Sequence, residues 1–131
     1  MGTQISLETL TALAWKAREN SYSPYSKFAV GTALVTETGE TFVGCNIENA
    51  SFSLTICAER VAVAAAVAAG FQRFAAIALA AETLEPVVPC GACRQFLAEF
   101  NPSLQIHCTG RGGITKTVLL SELLPSPFLK F

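Results

Sequence analysis

Two short cysteine clusters constrain this chain more than any other feature: Cys57-Ala58-Glu59-Arg60 and, further along, Pro89-Cys90-Gly91-Ala92-Cys93. On a helix the thiols of a C-x-x-C share one face at i and i+3, as two ligands of one ion must. With Cys57 as a third thiolate, two segments distant in sequence have to meet at one point. Three thiolates leave a fourth position open. Structural zinc sites fill that position with protein, whereas catalytic sites give it to water, whose pKa the metal lowers to about 7. Glu59 lies roughly 200° around a helix from Cys57, which places it beside such an ion as a proton carrier and not as a ligand.

The 131 residues suit a single domain, 1–131, with room for a proper core. Hydrophobic residues make up 51% and charged ones 15%, an apolar balance that points to some surface ending in a subunit interface. A formal net charge of −1 offers no basic field for a polynucleotide, so a small-molecule substrate fits better and no nucleic acid is expected. Five cysteines are an odd number, and three have metal-ligand spacing, which argues for a reducing, cytoplasmic compartment over a disulfide framework. Met1 to Ser6 lacks a basic region followed by an apolar run, so no secretory signal is read there. Val61 to Ala69 is apolar throughout but largely alanine, too short and too weakly apolar for a membrane span.

Ser6 is positioned to cap a helix to about Asn20, with Leu7, Leu10, Ala14 and Ala17 on its apolar face. Phe28–Thr36 and Glu40–Cys45 read as a hairpin around Glu37-Thr38-Gly39. After a polar loop at Asn46–Ala50, Thr55 caps a predicted helix from Ile56 to Ala69, which Gly70 ends. Phe74–Ala81 reads as a buried strand. Pro89 introduces a third helix to about Phe100. Leu104–Cys108 and Ile114–Leu119 are further strands, and Ser121–Leu124 a short helix. The alternation predicts an α/β fold: three α-β-α layers, a mixed sheet of roughly five strands with helices on both faces. Two helix N-termini then meet over the sheet, and their positive dipole ends favour thiolates at Cys57, Cys90 and Cys93.

Tyr25-Ser26-Lys27-Phe28, Gly44-Cys45-Asn46-Ile47-Glu48-Asn49, Cys57-Ala58-Glu59-Arg60 and Pro89-Cys90-Gly91-Ala92-Cys93-Arg94-Gln95 together resemble the cytidine deaminases of pyrimidine salvage, the short, all-cysteine, homotetrameric type. The resemblance runs from about Tyr22 to Phe128. It implies a cytidine deaminase-like fold and zinc-dependent hydrolytic deamination of cytidine and deoxycytidine, with one Zn²⁺ per chain on Cys57, Cys90 and Cys93 and Glu59 as proton shuttle. It further implies that Asn46 and Glu48 hydrogen-bond ribose hydroxyls, that Phe28 lines the base and sugar pocket, and that Ala58 offers backbone groups to the base. Phe128 then reaches a neighbouring subunit's site. Phe52 stands where relatives often have tyrosine. Because an all-thiolate site carries net negative charge, Arg60 and Arg94, each next to a ligand cysteine, are expected to supply compensating positive charge.

Without the resemblance, Asn46 and Glu48 read as solvated loop residues and Phe28, alternating with Val30, as core. Cys45 and Cys108 read as small buried hydrophobes. His107, the sole histidine, leaves open a non-catalytic zinc module closed by four ligands, Cys57, Cys90, Cys93 and His107. A zinc deaminase acting on another cytosine-bearing substrate, such as a nucleoside antibiotic, is the remaining alternative.

Overall fold

Helix α1, Leu7–Arg18, starts where Ser6 predicts: its hydroxyl accepts the Thr9 N–H at 3.0 Å. Strands β1, Val30–Thr36, and β2, Thr41–Cys45, form the expected hairpin. They are followed by helix α2, Ala58–Ala68, strand β3, Phe74–Ala81, and helix α3, Gly91–Ala98. Strands β4, Gln105–Thr109, and β5, Thr115–Leu119, lead into the one-turn helix α4, Leu120–Leu123. The computed structural model describes residues 5–130, so most of Met1–Ser6, where no leader was read, lies outside the described residues.

The five strands lie in the order β2-β1-β3-β4-β5, with β3 and β4 parallel and the other neighbours antiparallel. Strand alternation sorts side chains to two faces. On one face Ala33, Val35, Ala76, Ala78 and Ala80 lie under Leu10 and Ala14 of α1. On the other, Leu34, Ile77, Leu79, Ile106 and Cys108 pack with Ala62, Val63 and Ala66 of α2 and Leu97 of α3. Each fully buried leucine or isoleucine there contributes about 1.5–3 kcal/mol relative to exposure. The fold is therefore the mixed three-layer α/β arrangement expected from the sequence.

Two glycines bring the helices down onto the sheet backbone. A Cβ at Gly31 would lie 2.0 Å from the Ala14 carbonyl oxygen of α1, and one at Gly44 would lie 2.4 Å from the Ala58 carbonyl oxygen of α2. Neither spacing admits a side chain. On the second face this close approach sets the depth at which α2 delivers its first turn.

The predicted start of α2 needs correction. Thr55 does not cap it; its hydroxyl accepts the Asn49 N–H at 3.2 Å. Ile56 is extended, because Ile47 and Ile56 exchange backbone hydrogen bonds of 2.9 Å in both directions. Cys57 is the residue that turns the chain into the helix, at φ −72 and ψ 153. An unpredicted 3₁₀ turn occupies Phe52–Leu54. Sequence periodicity cannot see the Ile47–Ile56 pairing, which is a tertiary contact across a loop.

Candidate active site

The two cysteine clusters meet where α2 and α3 begin. Cys57 and Cys90 are the N-cap residues of these helices, and neither thiol makes a side-chain capping bond. Cys93 is the third residue of α3. An N-cap side chain and the third helical residue face one another, which is why the C-x-x-C converges. The three sulfurs all lie within 4.8 Å of one another, and Cys57 Sγ and Cys90 Sγ are 3.9 Å apart. Tetrahedral zinc with Zn–S distances of about 2.3 Å requires sulfurs about 3.8 Å apart, so the donor set fits the ion in chemistry and spacing. Cys93 is buried, Cys57 half-buried and Cys90 exposed.

Charge at the site is arranged for thiolate. Arg60 Nη2 donates to Cys57 Sγ at 3.6 Å. The Cys57 thiol is lowered to about 5, chiefly by a hydrogen bond from Cys93, with Arg60 and Cys90 assisting against burial. Cys93 is the donor of that bond and its own pKa is raised accordingly, so the pair shares one negative charge. Helix N-termini under both cap residues act in the same direction.

Glu59, in the first turn of α2, is only 5% exposed. Burial pushes its carboxyl up to about 7 and the Cys57 charge adds to the rise, opposed by a backbone hydrogen bond and by Arg60. A carboxyl near neutrality both takes and gives a proton at working pH. Glu59 shares a cavity of about 330 Å³ with Cys57 and Cys90; Phe28, Val30, Leu79 and Val88 form its apolar walls. Phe28 is 41% exposed, so it belongs to the cavity mouth and not to the core.

Asn46 and Glu48 are structured and not merely solvated. The Asn46 side-chain oxygen accepts from Val30 N–H at 3.0 Å and from the Ser21 hydroxyl, and its NH₂ donates to the Phe28 carbonyl at 2.7 Å. One amide hydrogen is left over. Glu48 accepts the Tyr25 and Ser26 N–H groups at 2.9 and 3.1 Å, and the Ser26 hydroxyl as well. It lines a second cavity of about 430 Å³ with Tyr25 and Phe52, which adjoins the first at Thr55.

Ala58 is fully buried at the start of α2 and lines the first cavity. Arg94 donates through Nε to the Pro89 carbonyl at 2.8 Å and through Nη1 to the Leu123 carbonyl at 3.2 Å, tying the loop before Cys90 to α4. Its neighbour Gln95 pairs with the backbone of Phe128: Nε2 donates to the carbonyl at 2.7 Å and Oε1 accepts the N–H at 3.1 Å. Phe128, 64% exposed, is thus held on the outside of α3. Phe52 is 72% exposed and meets the Tyr25 ring edge-on at 5.9 Å. His107 lies elsewhere: its Nδ1 contacts Thr117 Oγ1 at 2.6 Å on β5, and among the described residues the gathered metal donors are the three cysteines alone.

Sequence reasoning missed Val30, Thr55, Leu79 and Val88 as cavity residues. Val30 and Leu79 read as strand positions, Val88 as loop and Thr55 as a helix cap, and no local signal marks any of them as cavity lining. Lys27, in the left-handed region at φ 62, turns the chain between Ser26 and Phe28, again without a glycine to announce it.

Comparison with known proteins agrees with this geometry. A family model described as the cytidine and deoxycytidylate deaminase zinc-binding region matches residues 4–108. A cytidine deaminase of Sporosarcina psychrophila is 48% identical over 127 residues, covering 96% of this chain and 93% of its own. One from Halalkalibacterium halodurans is 47% identical over 116 residues, 88% of each chain. The crystal structure of a cytidine deaminase from Burkholderia pseudomallei, 46% identical, superposes with a TM-score of 0.92 over 95% of this chain and 100% of that one. Since the match takes in most of the sequence and the gathered cysteines fall inside it, this chain belongs to the cytidine and deoxycytidylate deaminase family.

Proposed function

We propose that this chain, as a single catalytic domain, deaminates cytidine and deoxycytidine hydrolytically, giving uridine or deoxyuridine and ammonia. The observation that carries the reading is the cavity in which a buried carboxyl, Glu59, raised to about 7, stands beside two of three converging sulfurs. Zinc on Cys57, Cys90 and Cys93 supplies the Lewis acidity that makes water a nucleophile near neutral pH.

The chain's own residues do the rest. Glu59 takes a proton from the attacking water and delivers it to N3 of the cytosine as oxygen adds to C4. It then takes the second proton from the hydroxyl now on C4 and passes it to the exocyclic amine, which leaves as ammonia while C4 becomes the carbonyl of uridine. Low solvent access keeps its protons from exchanging freely with bulk water. Phe28 and the apolar walls receive the flat base, and Ala58 presents backbone groups to it. The remaining Asn46 amide hydrogen and the Glu48 carboxylate are the groups for ribose hydroxyls. Arg60, and Arg94 through the Pro89 peptide, hold the thiolate cluster.

A homotetramer with Phe128 reaching a neighbour's site is part of the same reading. Exposed Tyr22, Phe52, Leu54 and Phe128 supply apolar surface for such contacts. Among the described residues no helix is long and apolar enough to cross a membrane. The five free cysteines fit a reducing compartment, the cytoplasm.

The direct test is incubation of the zinc-loaded protein with cytidine while the ultraviolet spectrum reports uridine, with CMP, single-stranded DNA and a cytosine-bearing nucleoside antibiotic in parallel. Cytidine should be converted, and turnover restricted to the antibiotic would transfer the assignment to it. Glu59→Gln should keep fold and one zinc per chain but lower kcat by about 10²–10⁴-fold. A variant working at the parental rate would show that Glu59 is not the proton carrier.

A further inference from the structure

Helix α2 begins without a side-chain cap, because Cys57 occupies the N-cap position and its thiol makes no capping bond. Uncapped first turns leave N–H groups unsatisfied and fray. Yet this turn carries Ala58 and Glu59, which have to be held still beside the metal donors. Something other than a cap has to anchor it.

Directly beneath lies Thr32, a fully buried residue of β1. Its hydroxyl donates to the Ala58 carbonyl at 2.9 Å and lies 3.4 Å from the Gly44 carbonyl. Thr32 and Gly44 are cross-strand partners, and the missing side chain at Gly44 is what lets the hydroxyl reach the helix. A hydroxyl buried this deeply is costly unless bonded, and here its partner is the first helical carbonyl. The carbonyl of Ala58 and the N–H of Glu59 belong to one planar peptide, so fixing the oxygen fixes the plane from which the Glu59 side chain departs.

We propose that Thr32 is a positioning residue: its hydroxyl anchors the uncapped first turn by its carbonyl, locks the Ala58–Glu59 peptide and so aims the Glu59 carboxyl into the cavity. This rests on Glu59 being the proton carrier proposed above. The hydroxyl bonds the Ala58 carbonyl and not the Ala58 N–H that faces the base, and it touches no metal ligand, so its loss should affect the chemical step more than substrate capture.

The test compares Thr32→Val, Thr32→Ala and Thr32→Ser in the zinc-loaded enzyme. It measures kcat and KM for cytidine, zinc per chain, and the ¹³C carbonyl resonance of Ala58, which senses its hydrogen-bond donors. Val and Ala should lower kcat on the order of tenfold, with KM within about twofold and one zinc per chain, and should move the Ala58 resonance upfield. Ser should keep kcat within about twofold and leave the resonance in place. If Val cannot fold, because its methyl would sit against the Ala58 carbonyl, the smaller Ala decides. Parental kcat in Val and Ala, a Ser variant as impaired as they are, or an unmoved Ala58 resonance each overturns the proposal. Absence of cytidine turnover in the parent would instead refute the functional reading, and the carbonyl resonance would still report the hydrogen bond.

Discussion

Gly44→Ala isolates the contact between sheet and helix on which the site rests. The new Cβ would lie 2.4 Å from the Ala58 carbonyl oxygen and 2.6 Å from the Ala62 nitrogen, against ordinary contact from 3.4 Å. Both obstacles are backbone, so no side chain can swing away. Helix α2 has to rise by about 1 Å or the hairpin has to sag by the same amount, at a cost of about 1–3 kcal/mol for overpacking. A rise carries Cys57 away from Cys90 and Cys93 and lifts Glu59 within the cavity. A displacement near 1 Å in a catalytic group costs about 10²-fold in rate. Urea unfolding, zinc titration against a chelator and steady-state deamination of cytidine measure the three effects. Stability should fall, zinc should be released at lower chelator concentration, and kcat should drop by more than KM rises. A variant with parental zinc affinity and kcat would mean that the depth of α2 on the sheet does not govern the site.

His107→Ala should retain one zinc per chain, whereas Cys90→Ser should lose it. Metal released by the histidine variant would restore the closed four-ligand module as the correct description. The Glu48 carboxyl is held below the usual carboxylate range, first by the Ser26 hydroxyl and then, against burial, by the Ser26 and Tyr25 N–H groups and by Lys27. Because its folded pKa is depressed, its contribution to stability is present above the ordinary carboxylate pKa of about 4.3 and is lost as pH falls through the lower folded value. The thermal midpoint of the parent should therefore exceed that of Glu48→Gln at pH 7, with the gap closing on acidification. A gap that stays constant with pH would remove the ionised carboxylate as its cause.

The chemistry of this chain was readable in one dimension. Cys57, Glu59, Cys90 and Cys93 are specified by residue type and short spacing, and spacing on a helix is already geometry. Ser6, Gly70 and Pro89 punctuate the helices through their own backbone preferences, so element order and the three-layer arrangement followed from local signals. Phe28 reads as core by alternation alone and as a pocket residue only through the resemblance, because alternation along a strand cannot tell a cavity mouth from an interior.

What the three-dimensional packing decided is where each group stands and what it is worth as an acid. Cys57 rather than Thr55 starts α2 because Ile56 is already paired with Ile47 across a loop. Glu59 is poised near neutrality because α2 lies deep on the sheet and excludes water, a depth set by Gly44 and held by Thr32 from strands that look unremarkable in sequence. Ligand identity is a property of side chains and survives in the linear order. Burial, pKa and aim are sums over neighbours that only folding brings together.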